Sequence, residues 1–146
     1  MKTFVITLSK AFMNGHPKDG MPTKFEEKFM CGDKIHTIRG NLPLWEKRIA
    51  EVRSGAAILS IRQWTGKPYR SKQREIAQLT AKDGVGIQTL KLVDFFRAAS
   101  VEGVKVELPE LAKNDGLYFD DWYYWFRGYD ISQPLAIIHF TKFRYR

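Results

Sequence analysis

The sequence predicts a mixed α+β fold in a single domain, residues 1 to 146, and three observations carry that prediction. Short β-branched and aromatic runs such as Thr3-Phe4-Val5-Ile6-Thr7-Leu8 read as strands. Apolar residues elsewhere recur at helical spacing between recognisable start and stop residues. At 146 residues, 44% hydrophobic and 14% aromatic, the chain can bury one proper core but not two comfortable ones.

Taken in order, the first strand covers Thr3 to Leu8 and is too short to be the apolar core of a signal peptide. Residues 13 to 22 hold two glycines and two prolines and form a loop in which His16 is expected to face solvent. Thr23-Lys24-Phe25-Glu26 has the capping-box form, so a helix is expected to begin there. Phe25 and Phe29 fall one turn apart, and Gly32 supplies the left-handed residue that ends the helix at Cys31. Cys31 is expected to be a small buried residue at that helix end. Asn41-Leu42-Pro43 opens a second helix with a capping side chain and a first-turn proline. Leu42, Trp45, Ile49 and Val52 form its core stripe, and Ser54-Gly55 ends it.

A strand starting at Ala57 leads into a turn built on Gly66 and Pro68. Residues 75 to 93 form two further strands about Asp83-Gly84, and Phe95-Phe96 anchors a short connection. Val104 to Leu108 alternates like a half-buried strand that Pro109 closes. Phe119, Trp122, Trp125 and Phe126 define a last helix, with Asp120 and Asp121 in its first turn and Gly128 past its end. Tyr123 and Tyr124 lie off that stripe and face solvent or a base. Leu135 to Phe140 is apolar enough for a central strand, in which His139 is a core or edge residue, and Lys142, Arg144 and Arg146 follow.

Charge points to an anionic partner. The chain has 24 Lys and Arg against 16 Asp and Glu, a net +8, which favours phosphates if the cations share a face. Between Arg62 and Arg74 stand Arg62, Lys67, Arg70, Lys72 and Arg74 with no acid, interleaved with Trp64 and Tyr69. Cations pair with phosphates while aromatic faces stack on bases, the mixture that single-stranded nucleic acid binders use. A hairpin with an ordinary charged outer face is the alternative. One cysteine forms no intramolecular disulfide and suggests a reducing compartment. His16, His36 and His139 are too scattered to suggest a metal site, no cofactor is indicated, and no apolar run has the length of a membrane span. A soluble, cytoplasmic protein is expected.

The densest polar chemistry lies in Gly32-Asp33-Lys34-Ile35-His36-Thr37-Ile38-Arg39-Gly40. Strand alternation puts Thr37 and Arg39 on one face and Ile38 on the other, and Lys34 can swing in from the glycine bend. The bland alternative is a solvated strand edge with Ile38 buried.

Gly32-x-Lys34-x-x-Thr37-Ile38-Arg39, following a helix that carries Phe25 and Phe29, resembles the signature of the ASCH domain family, small β-barrels of the PUA-like fold. The resemblance implies a PUA-like barrel with peripheral helices and an RNA-related role. In the N4-acetylcytidine amidohydrolase branch it implies hydrolysis of an acetyl amide on a modified cytidine by a Lys, Thr, Glu constellation. Lys34, Thr37 and Arg39 fall on the family's lysine, threonine and arginine. The acidic member falls on Asp115 in Asn114-Asp115-Gly116-Leu117, an aspartate where that branch has glutamate. The likeness is specific over residues 23 to 39, loose over 113 to 140 and absent from 41 to 110.

Two functions are therefore expected to compete. In one, a pocket at Lys34, Thr37 and Arg39 accepts a base or phosphate of RNA or another single strand, Trp64 and Tyr69 contact the ligand, and the basic hairpin holds the strand. In the other, Lys34 takes a proton from Thr37, whose hydroxyl attacks an acyl amide on a modified nucleoside, with Asp115 assisting.

Overall fold

Strands and helices fall close to the expected segments. The computed structural model describes residues 1–93 and 97–146, so Phe95 and Phe96 lie outside the described residues. In chain order the elements are β1 (Lys2–Thr7), α1 (Phe25–Cys31), β2 (His36–Arg39), α2 (Leu42–Arg53), β3 (Ala57–Trp64), β4 (Gln73–Leu79), β5 (Gly86–Val93), β6 (Ala98–Val101), β7 (Val104–Val106), α3 (Leu108–Asn114), α4 (Phe119–Phe126) and β8 (Leu135–His139). The mixed α+β class is as expected. The strands divide into two sheets, and no closed barrel is found among the described residues.

The smaller sheet runs β1-β3-β4, with β1 parallel to β3 and β4 antiparallel to it. The larger runs β2-β8-β5-β6-β7 and is antiparallel throughout. β8 lies between β2 and β5 and is buried at every residue, which explains why its sequence is a continuous apolar run rather than an alternation.

α2 joins the sheets, touching β3 of one and β5 and β8 of the other. Asn41 caps it as expected, its Oδ1 accepting from the Leu44 N–H. Trp45, Ile49 and Val52 make up its buried face. Each aliphatic side chain buried this way contributes about 1.5–3 kcal/mol before chain entropy is subtracted.

Several local expectations are corrected. Lys24, not Thr23, stands at the N-cap of α1, with a left-handed φ of 61° and no side-chain cap. Thr23 Oγ1 still accepts from the Phe25 N–H at 3.3 Å, as expected of a capping hydroxyl, and also donates to the Ser9 carbonyl at 2.6 Å, while Glu26 pairs with Arg74 rather than reaching back. Cys31 is exposed because the last turn of α1 faces solvent. His16 is buried: its Nδ1 accepts from the Lys18 N–H at 3.0 Å and its Nε2 donates to the Asp121 carbonyl at 3.0 Å. That pairing fixes a neutral tautomer with a structural task.

Pro109 does not close a strand. β7 stops at Val106, and Leu108-Pro109 opens α3, where a first-turn residue needs no intrahelical N–H partner. Gly128 is not a left-handed cap either, since α4 ends at Phe126 with Arg127 still right-handed. Gly32, by contrast, ends α1 with φ 86°.

Candidate functional site

Two bends bring Lys34 and Asp115 together across the chain. After Gly32, the N–H groups of Asp33 and Lys34 both donate to the Lys28 carbonyl, at 2.8 and 3.0 Å, which turns the chain back on α1. Lys34 then bridges to Asp115 at the C-cap of α3. Gly116 follows with φ 82°, and a Cβ there would sit 3.1 Å from the Lys34 Cβ, so glycine leaves room for the lysine stem. Lys34 Nζ donates to Asp115 Oδ1 at 2.7 Å and to the Asp115 carbonyl at 2.8 Å, and lies 4.3 Å from the centre of the Phe25 ring.

The two side chains are 2% and 4% exposed. Burial pulls the Lys34 ammonium below its ordinary value, against the pull of Asp115. Burial alone would raise the Asp115 carboxyl, but Lys34 and His36 outweigh it and hold it below the usual range. The pair is therefore an ion pair in which each charge needs the other.

Thr37 is buried, and its hydroxyl makes no hydrogen bond to another described residue. Arg39 is half-buried; its Nη2 donates to the Thr7 carbonyl at 2.7 Å, and no described carboxylate pairs with it. Burial lowers its ordinary value, with Tyr129, Asp115 and Tyr69 acting the other way. Lys34, Thr37, Arg39 and Asp115 line one cavity, walled by Phe25 and Trp125, of about 20 Å³. That is room for about one water molecule and not for a base. The expected convergence is present, but the ligand-sized space lies next door.

Behind Asp115 runs a buried polar network that sequence reasoning missed. Asn114 Nδ2 donates to Tyr145 Oη at 3.0 Å, and Tyr145 Oη lies 2.7 Å from His36 Nε2. Burial pushes the Tyr145 phenol up, so it keeps its proton. His36 Nδ1 faces Asp115 Oδ1 at 3.6 Å, longer than a hydrogen bond. His139 Nε2 donates to Gln88 Oε1 at 2.9 Å, and burial lowers it to about 3. The available signal was the alternation Phe143-Arg144-Tyr145-Arg146, which turns Tyr145 inward.

The hairpin between β3 and β4 forms the wall of a second space. Trp64, Lys67 and Tyr69 from the hairpin, Lys10 and Phe12 from the chain after β1, and Arg39 line a cleft of about 820 Å³. Leu8, Ser9 and Arg39 line both this cleft and the small cavity, so the two abut. Tyr69 is 89% exposed and held at φ 62°, with its ring 5.1 Å from that of Trp64. The turn around it is tied by Ser71 Oγ, which accepts from the Gly66 N–H and donates to the Lys67 carbonyl, each at 2.9 Å.

The five hairpin cations divide. Arg62 donates to Ser60 Oγ at 2.9 Å and Gln73 Oε1 at 3.3 Å, and Arg74 pairs with Glu26. Lys67, Arg70 and Lys72 are exposed, and their side chains make no ion pair with a described residue. Lys10 on the opposite wall, with Nζ donating to the Thr65 carbonyl at 3.2 Å, carried no sequence signal.

Among the described residues, no group of His, Cys, Asp and Glu is arranged to hold a metal ion, and no helix is long and apolar enough to cross a membrane. No family model, curated protein or solved structure matches the chain.

Proposed function

We propose that the chain is a PUA-like, ASCH-type domain that binds single-stranded nucleic acid, RNA above all. The observation that carries this reading is the cleft of about 820 Å³ that sets an aromatic pair, Trp64 and Tyr69, beside the cations Lys67, Lys10 and Arg39. Its size falls within the roughly 300–1,000 Å³ of small-ligand sites, enough room for one nucleotide. Bases stack on aromatic faces without regard to sequence, while phosphates need cations whose charge is not already spent. Lys67, Arg70 and Lys72 meet that need along the hairpin. The motif from residue 23 to 39 supports the same reading.

Titration of short labelled RNA and DNA strands at low and raised salt tests it. Binding is expected, and it should weaken steeply as salt rises. No affinity at low salt for either strand would overturn the proposal.

A second reading, amidohydrolysis of an acylated nucleoside, is favoured by the convergence of Lys34, Thr37 and Asp115 on the cavity beside the cleft. Thr37 Oγ would attack the acyl carbon and Lys34 would take its proton. The leaving amine would be protonated in turn, and water would then release the acyl group. It ranks second because Lys34 Nζ is committed to Asp115 and can take a proton only when neutral. Purified protein incubated with N4-acetylcytidine should, on this reading, release cytidine, and Thr37→Val should stop it; turnover that survives Thr37→Val would remove the threonine from the chemistry.

A further inference from the structure

Arg39 is a guanidinium with no ion-pair partner among the described residues. It presents five N–H donors, and its one side-chain hydrogen bond to a described residue goes to the uncharged Thr7 carbonyl. Asp115 lines the same small cavity, but its carboxylate is held by Lys34 at 2.7 Å. A half-buried cation without a counter-charge is costly to keep, and a ligand that supplies the missing anion offsets that cost. Lys10 and Lys67 line the same cleft, against a single acid, Asp19. A guanidinium fork suits a bidentate oxyanion, and Arg39, anchored by its bond to the Thr7 carbonyl, lines the cleft. Tyr69, in a left-handed conformation next to Trp64, lines the cleft as well. An aromatic pair and a cation with no ion-pair partner among the described residues therefore share one cleft.

We infer that the cleft takes a nucleotide rather than a nucleoside, its phosphate on Arg39 and its base against Trp64 and Tyr69. This rests on the nucleic-acid reading above and adds the orientation of the bound unit. The phosphate belongs either to a free nucleoside monophosphate or to a residue within a strand, and both present the same oxygens to the guanidinium.

Calorimetric titration separates the cases, using cytidine, cytidine 5′-monophosphate, inorganic phosphate, and a five-residue RNA with and without a 5′-terminal phosphate. The monophosphate should bind at least tenfold more tightly than cytidine. That gap should close in Arg39→Gln and shrink in Arg39→Lys, which keeps the charge but loses the fork; circular dichroism shows whether each variant is folded. A terminal phosphate that strengthens strand binding identifies a strand end as the source, whereas equal binding of both strands, with the monophosphate gap intact, identifies an internal phosphate. Equal binding of nucleoside and monophosphate by the unmodified protein overturns the inference without any variant, as does a gap that persists in folded Arg39→Gln. If the strand binds while cytidine and its 5′-monophosphate bind equally, this orientation fails and the nucleic-acid reading survives; if no strand binds, that reading fails first.

Discussion

The cluster around Asp115 and the hairpin from Trp64 to Gln73 both concentrate charge, and they treat it in opposite ways. In the cluster, Lys34 and Asp115 are almost wholly buried and locked to each other, with His36, Tyr145 and Asn114 stacked behind them. In the hairpin, Lys67, Arg70 and Lys72 stand in water with no carboxylate partner among the described residues. Desolvation is the cause of the difference: a charge removed from water must find its counter-charge within the fold, whereas an exposed one need not. Charge in the cluster therefore holds structure, and charge on the hairpin is free for a partner. Arg39 stands between the two, partly buried yet without an ion-pair partner among the described residues.

The largest effect expected from this contrast is on stability. Lys34→Met should cost about 3–5 kcal/mol by urea denaturation, since it strands a buried carboxylate. Adding Asp115→Leu should recover most of that loss. If the single and double variants unfold alike, the pair is not the constraint described.

Acid should weaken the cluster next. His139 is lowered from 6.5 to about 3 in the folded protein, so between those values the unfolded chain binds the extra proton and stability falls as pH falls. His36, also lowered by burial, acts in the same direction, and the Asp115 contribution is lost further down as its carboxylate protonates. Each unit of separation is worth about 1.4 kcal/mol. Thermal melts from pH 7 to 4 should show a steady drop that is shallower in His139→Gln, and a flat profile would contradict the assignment.

The smallest effect on folding, and the sharpest on binding, belongs to the hairpin. Arg70→Glu with Lys72→Glu should leave the melting temperature unchanged yet lower strand affinity, reducing the salt slope by about 1.4 if each cation meets one phosphate of a single strand. Arg74→Gln should do much less to binding, because Arg74 is already paired with Glu26. Equal losses from the two changes would show that the internal pairing does not matter.

Much of this was legible in the residues. Gly32, Asn41 and Gly55 mark element ends because capping and left-handed turns depend on local chemistry. The convergence of Lys34, Thr37, Arg39 and Asp115 was expected from a motif and is present in space. What was not legible depended on neighbours distant in sequence. Glu26 has the local form of a capping-box partner, but Arg74, 48 residues further on, captures its carboxylate. His16 looks like a loop residue until α4 covers it. The volume beside Lys34 was equally invisible, because Phe25 and Trp125, exactly one hundred positions apart in the chain, pack together to narrow it.

The place of β8 has a consequence for how the chain reaches this state. It pairs His36 with His139 on one side and Gly86 with His139 on the other, so the larger sheet stays split until a segment about a hundred residues beyond β2 slots between its neighbours. Such distant pairing is slow to find, which puts folding in the millisecond-to-second regime rather than the microsecond one. Until β8 arrives, β2, which carries Thr37 and Arg39, has no strand beside it to hold those side chains in register.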